Sequence, residues 1–139
     1  MIFETSIKTT IVDKNGNDKV LTSRYIVENA ELFGEVENKL YEEFGNENGF
    51  EVATIKISKL KEIINEAPQG EVECKIYFAN IIDRFYDADK DETTETPYVV
   101  ALHAHDINEA HKAIDQYMTQ GMEDMELVGL KCTKYISVL

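Results

Sequence analysis

The chain has 139 residues, of which 43% are hydrophobic and 29% are charged, and its formal net charge is −13. This length fits one domain or two very small ones, and the composition is that of a folded protein, which excludes a disordered chain. The charge disfavours binding to nucleic-acid phosphates and to anionic membranes, but it leaves room for a local basic surface.

The first half of the chain predicts a β-β-α-β unit over residues 1–66. Apolar residues recur with a period of two in the strands and at helical spacing in the helix. Asn15-Gly16 is typical of a hairpin turn that needs positive φ at both central positions, and Gly45 would end the helix in the left-handed conformation. The predicted elements are, in order, strands 3–12 and 19–28, helix 32–44 and strand 50–58.

A linker over residues 67–71, around Ala67-Pro68-Gln69-Gly70, leads to a second unit over residues 72–139. The segment DADKDETTETP predicts a long, solvated acidic loop after its first strand. A calcium loop is disfavoured because its sixth and twelfth positions hold Glu92 and Tyr98 instead of glycine and glutamate. The predicted elements are strands 72–82 and 98–103, helix 107–119, which Gly121 would end, and strand 125–136.

The two units resemble each other in sequence. FEVATIKISKL lies over MELVGLKCTKY without a gap, and Tyr25 and Val27 match Tyr98 and Val100. We therefore predict an α+β fold in which two tandem β-β-α-β repeats pack as one pseudo-twofold domain. This domain would have a mainly antiparallel sheet and two helices. If the β-α-β part of each repeat is a parallel right-handed crossover, the first strand lies in the middle of a three-stranded sheet.

All three histidines lie in the segment LHAHDINEAHKAID: His103, His105 and His111. Two of them on a strand and one on a helix could bind a metal ion. We favour a simpler interpretation, in which Asp106 caps the helix and Glu109 completes a capping box. No cofactor is therefore expected.

Lysines recur at matching positions of the last strand in each unit, namely Lys56 and Lys59, and Lys131 and Lys134. With aromatic rings, such strips could hold single-stranded nucleic acid or a nucleotide by stacking, and the candidate rings are Tyr77, Phe85, Tyr86 and Tyr135. We favour the alternative that lysines on an exposed strand prevent aggregation between sheet edges.

Several sequence features bear on the location of the protein and on whether it is an enzyme. Cys74 and Cys132 form no CxxC pattern, the opening MIFETSIKTT does not resemble a signal peptide, and no apolar run reaches the ~20 residues of a membrane helix. A cytoplasmic protein without a membrane contact is expected. No nucleophile motif, P-loop or GxGxxG is found, so we do not expect an enzyme.

The opening MIFETSIK, the two Y-x-V segments, the ECKI after the linker and the EA of the second helix are similar to a domain-of-unknown-function family. Its members are short proteins from gut-type anaerobic bacteria and their phages. The resemblance implies a bacterial or phage setting and a role beside DNA metabolism or host defence, and it transfers no catalytic residue. The chain departs from the family pattern at Leu32 and in its histidines.

The leading functional hypothesis is a small, acidic, non-catalytic binding protein that holds an unidentified protein partner through its sheet face, its acidic loop or a groove between the repeats. The alternative is a protein that binds single-stranded nucleic acid or a nucleotide through the lysine and aromatic strips. A weaker alternative is a metal-dependent enzyme that uses the histidines. The apolar segment 135–139 also suggests a homodimer formed by strand pairing.

Overall fold

The computed structural model describes residues 1–68, 73–121 and 124–139. They form two compact units, one with residues Met1–Ser58 and Tyr135–Leu139, and one with residues Lys59–Lys134. We call these unit 1 and unit 2. The elements are, in chain order, β1 (Phe3–Val12), β2 (Asp18–Val27), α1 (Phe33–Phe44), β3 (Glu51–Ile57), β4 (Leu60–Ile63), β5 (Lys75–Asp87), β6 (Glu92–Ala104), α2 (Ile107–Thr119), β7 (Asp124–Cys132) and β8 (Tyr135–Val138).

Unit 1 has a four-stranded sheet with the order β3-β1-β2-β8. Strand β1 is antiparallel to both β2 and β3, whereas β8 is parallel to β2. Strand β1 is thus a central strand, as expected for a parallel crossover between β2 and β3. We call the face of each sheet that packs on its helix the helix face, and the opposite one the far face.

The core of unit 1 lies between the helix face and α1. Because side chains alternate along a strand, Phe3 and Ile7 of β1 point to the same face, and both are buried with Val36 and Leu40 of the helix. Leu139 packs against the same cluster. Full burial of one such side chain stabilises the fold by about 1.5–3 kcal/mol.

The hairpin between β1 and β2 differs from the predicted two-residue turn. Gly16 has φ +80°, but Asn15 is not among the residues with positive φ in the described chain. The N–H of Gly16 donates to the carbonyl of Asp13, and the side chain of Asp13 accepts from the N–H groups of Asn15 and Asn17. The loop needs only one residue with positive φ, because the Asp13 carboxylate accepts from two backbone N–H groups of a turn longer than two residues.

Unit 2 has a four-stranded sheet with the order β4-β6-β5-β7. Strand β5 is antiparallel to β6 and β7, and β4 is parallel to β6. The helix face of β5 contributes Tyr77, Ala79 and Ile81 to a core that includes Ala110 and Ile114 of α2. Strand β4 pairs with β6 only between Val99 and Ala101, which leaves one side of Pro97 open, as proline in a strand requires.

The helix ends confirm one prediction and correct another. Asp106 caps α2 by accepting from the N–H of Glu109 at 2.8 Å, while the Glu109 carboxylate accepts from the N–H of His105 at 3.4 Å. Gly45 does not end α1 in the left-handed conformation, because its φ is −60°. Its N–H continues the helical pattern to Tyr41, and the left-handed residue comes later, at Gly49 with φ +67°.

Gly121 likewise does not cap α2. The C-cap is Gln120, in the right-handed conformation, and its N–H donates to the carbonyl of Gln116.

The predicted fold class is confirmed: the protein is α+β, with two helices and mostly antiparallel sheets. The predicted strand 125–136 is instead two strands, β7 and β8, and β4 lies in a segment for which no strand was predicted. Of the predicted linker 67–71, residues 69–71 lie outside the described part of the chain. The pseudo-twofold symmetry and the single shared domain remain predictions.

The predicted acidic loop is wrong in extent. Strand β5 continues to Asp87 and β6 already begins at Glu92, so that Ala88–Asp91 alone connect them. Threonines and aromatic residues favour extended structure in this segment, and pairing along the whole hairpin outweighs its charge.

Candidate functional site

The β5–β6 hairpin of unit 2 extends beyond the rest of its sheet. These two strands pair continuously from Lys75↔Ala104 to Asp87↔Glu92. Strand β7 pairs with β5 only as far as Arg84, and β4 pairs with β6 only from Val99 onward. In the described chain, the end of the hairpin is therefore a two-stranded ribbon. We call residues 83–96 the acidic ribbon.

Arg84 holds the base of the acidic ribbon on the far face of the sheet. Its Nε donates to Glu95 of β6 at 3.2 Å, and its Nη2 donates to Glu126 of β7. The hydrogen bonds to Glu126 and Glu95 raise the pKa of Arg84 above its usual value. One guanidinium thus connects three adjacent strands, beside the last described pair of β5 and β7, Arg84↔Asp124.

The tip of the acidic ribbon is ordered by its own side chains. Asp87 accepts from the N–H of Asp89 at 3.0 Å, and the hydroxyl of Tyr86 donates to Asp91 at 2.5 Å. The bond to Asp91 raises the pKa of Tyr86. Asp91 has φ 49°, which allows the chain to return into β6. The tip is therefore shaped before any partner arrives.

Two aromatic side chains are exposed on this ribbon. Phe85 is 68% exposed and Tyr86 is 57% exposed. Because neighbouring residues of a strand point to opposite faces, the two rings lie on opposite sides of the ribbon. Around them the segment has six carboxylates and only two cations, Arg84 and Lys90. Exposed aromatic side chains of this kind are typical of surfaces that bind other molecules.

The predicted lysine strips fall in both units. Lys56 is exposed on β3 of unit 1, whereas Lys59, Lys131 and Lys134 are exposed in unit 2. Lys131 lies on β7 opposite Phe78.

The aromatic residues predicted to flank the lysines differ in exposure. Tyr77 is 3% exposed and belongs to the core of unit 2, so its ring has no solvent-facing surface for stacking. Tyr135 is half-buried in unit 1, where its hydroxyl donates to Glu4 at 2.5 Å. Phe85 and Tyr86 alone among the candidate rings are largely exposed.

The three histidines have separate environments. His103 is 8% exposed on β6, and its Nδ1–H donates to the carbonyl of Asn65 at 3.1 Å. His105 lies beyond the strand, and its Nδ1–H donates to the carbonyl of Glu73 at 2.6 Å. His111 is on α2, 3.1 Å from Asp115. Within residues 1–68, 73–121 and 124–139, no group of three or more His, Cys, Asp or Glu could hold a metal ion.

Sequence reasoning missed two side chains that shape unit 2. Asn65 bonds both backbone groups of His103, accepting from its N–H at 2.6 Å and donating to its carbonyl at 2.9 Å. Arg84 is the other, at the base of the acidic ribbon. A signal for the ribbon was present in the alternation of threonine and charge in TTETP, which is typical of a strand.

The fold and these surfaces define a small α+β protein of two units whose helices are too short or too polar to cross a membrane, as far as the structure describes them. The chain belongs to the family described as a domain of unknown function (DUF4494), which it matches over residues 1–139, and the predicted resemblance is thereby confirmed. No curated protein and no solved structure matches the chain.

Proposed function

We propose that this is a non-catalytic accessory protein that binds a protein partner with a lysine- and arginine-rich surface, and that the acidic ribbon is its binding surface. The observation that carries the proposal is the pair of exposed rings, Phe85 and Tyr86, on an acidic two-stranded segment that outruns its sheet. Aromatic residues dominate the binding energy of many protein interfaces. Carboxylates around them would guide a basic partner to the surface.

The charge of the ribbon favours a basic protein over nucleic acid as the partner. The segment resembles a phosphate strand in its density of negative charge, so a partner that normally binds nucleic acid would have a complementary surface. The ribbon has two cations, Arg84 and Lys90, and Arg84 is already bonded to two carboxylates. The proposal places the protein in the cytoplasm of a bacterium or a phage-infected cell, which agrees with free Cys74 and Cys132.

A labelled, lysine- and arginine-rich peptide tests the proposal by fluorescence anisotropy at low salt. The variant D87N/D89N/D91N removes three negative charges from the tip, and F85A removes the most exposed ring. We expect the first to weaken binding about 10-fold, at about 0.5 kcal/mol for each exposed charge, and the second to weaken it about 5-fold or more.

A matched control separates the ribbon from the charge of the whole chain. The variant E37Q/E42Q/E43Q removes the same charge from exposed positions of α1 in unit 1. Its binding should stay within about 3-fold of the parent protein, because the loss of three charges that are not on the ribbon changes only the net charge of the chain. Equal weakening by both triple variants, or no effect of F85A, would show that the peptide responds only to net charge and would refute the ribbon as the site.

A further inference from the structure

The far face of the unit 1 sheet gathers cations that are distant in the sequence. Phe3 and Ile7 of β1 point to the helix face, so Glu4, Ser6 and Lys8 point to the far face. The strand register places Lys56 of β3 opposite Glu4. Two adjacent strands, β1 and β3, therefore contribute to one surface.

Arg24 completes this group. It lies on β2 opposite Ser6 of β1. Ser6 is two residues from both Glu4 and Lys8, so Arg24 points to the same face as they do. Adjacent strands are about 4.8 Å apart and same-face residues are about 6.8 Å apart along a strand, so Lys8, Arg24 and Lys56 fall within about 15 Å of one another. All three side chains are exposed. We call them the cation triad.

The cation triad is not neutralised by ion pairs in the described chain. No carboxylate there lies within 4.0 Å of the charged nitrogens of these three residues. Glu4, the nearest acidic residue by register to Lys56, accepts the hydroxyl of Tyr135. Arg24 also acts on Tyr135, because its charge and its hydrogen bond to the phenol lower the pKa of Tyr135 against the stronger effects of burial and Glu4.

The acidic residues of unit 1 are concentrated elsewhere. Seven of them lie between residues 28 and 47, in and around α1, which packs on the helix face. On the far face, the described register places Glu4 opposite Lys56, Glu51 opposite Lys8 and Asp18 opposite Val12. These three carboxylates balance the three cations of the same face, whereas the chain as a whole has a net charge of −13.

We infer that the cation triad is a binding site for the phosphates of single-stranded nucleic acid. The site is independent of the acidic ribbon and lies in the other unit. Three cations across a sheet face suit an extended strand that passes over them. A duplex is disfavoured, because its higher charge density is repelled more strongly by the acidic chain. The contact is to phosphates and carries no sequence preference.

Salt dependence gives the proposal a quantitative test. The probe is a fluorescently labelled oligothymidine of about 15 nucleotides, measured by anisotropy. Three phosphate contacts predict a slope of log K against log[salt] of about −2, at about −0.7 for each contact with a single strand. K8Q/K56Q leaves one contact and a slope of about −0.7, with roughly 60-fold weaker binding at about 50 mM salt.

Two control variants keep the test independent of folding and of net charge. K14Q/K112Q removes the same charge from exposed positions outside the triad, and its binding should stay within about 3-fold of the parent protein. K8R/K56R keeps the charges and should retain the slope of about −2. Circular dichroism confirms that each variant is folded.

Three results would overturn the inference. The first is the absence of saturable binding at about 20 mM salt, where phosphate contacts are strongest. The second is equal weakening by K8Q/K56Q and K14Q/K112Q. The third is an oligoglutamate that binds as tightly as the oligothymidine, since the site would then select any anionic chain. None of these results bears on the acidic ribbon, whose test uses a cationic peptide.

Discussion

Asn65 allows a sharp test of how unit 2 is held together. Its side chain lies just after β4 and bonds the N–H and the carbonyl of His103, at 2.6 and 2.9 Å. It thereby replaces the backbone pairing that a longer β4 would provide. His103 is 8% exposed, so water reaches its backbone poorly.

Asn65→Ala should lower the free energy of unfolding by about 2–4 kcal/mol. Two buried polar groups lose their partners, and each costs about 1–3 kcal/mol, reduced here because Asn65 itself is half-buried. Asn65→Asp keeps an acceptor for the His103 N–H but loses the donor to its carbonyl. It should therefore cost about half as much.

Urea unfolding followed by circular dichroism measures these differences. Asn38→Ala, at an exposed position of α1, serves as the control and should change stability by less than about 0.5 kcal/mol. If Asn65→Ala stayed within that range, or if Asn65→Asp cost as much as Asn65→Ala, the two side-chain bonds would not support the sheet as argued.

Three further predictions concern unit 1. Burial and the bond to Glu4 raise the pKa of Tyr135, so the stability that its phenol contributes is complete below the unfolded pKa near 10 and is lost as the pH rises further. Tyr135→Phe should flatten this alkaline loss of stability in unfolding experiments and should cost about 1.5–3 kcal/mol at neutral pH. Gly49→Ala should cost more than about 1 kcal/mol in thermal unfolding, since φ is +67° and the new Cβ would lie 2.2 Å from Thr10 Oγ1. Leu32→Asp should stabilise α1 by about 1 kcal/mol, because Leu32 is an exposed N-cap without a side-chain bond.

Each of these has an outcome that contradicts it. An unchanged alkaline limb in Tyr135→Phe would show that the phenol is not the group whose titration destabilises the fold. A melting temperature for Gly49→Ala equal to that of the parent would mean that Thr10 moves aside at no cost. A destabilised Leu32→Asp would indicate that the leucine packs more than its exposure suggests.

The helices were predictable because their signals are local. Apolar residues at helical spacing placed α2 over residues 107–119, and Asp106 is the N-cap that its side chain predicts. The first hairpin was also predicted, although the Asp13 carboxylate changed its turn. Such features depend on residues within one or two turns of each other, which the sequence displays directly.

The acidic segment shows how local reasoning fails. Its carboxylates indicated a solvated loop, yet residues 82–87 and 92–97 pair across the hairpin. Each residue there has a partner supplied by the other strand, and that pairing is stronger than the preference of aspartate and glutamate for loops. The exposure of Phe85 and Tyr86 was visible only in the tertiary structure.

By itself, the sequence determined the α+β class, the two helices, the central position of β1 and β5 and the acidic character of the chain. Tertiary structure alone decided that β4 and β8 pair in parallel with β6 and β2, that Tyr77 is buried, and that Lys8, Arg24 and Lys56 share a face. The physical reason is that the spacing of apolar side chains, which defines a helix or a strand, is set by residues close together in the sequence. The choice of neighbouring strand and register depends on partners far away in the chain.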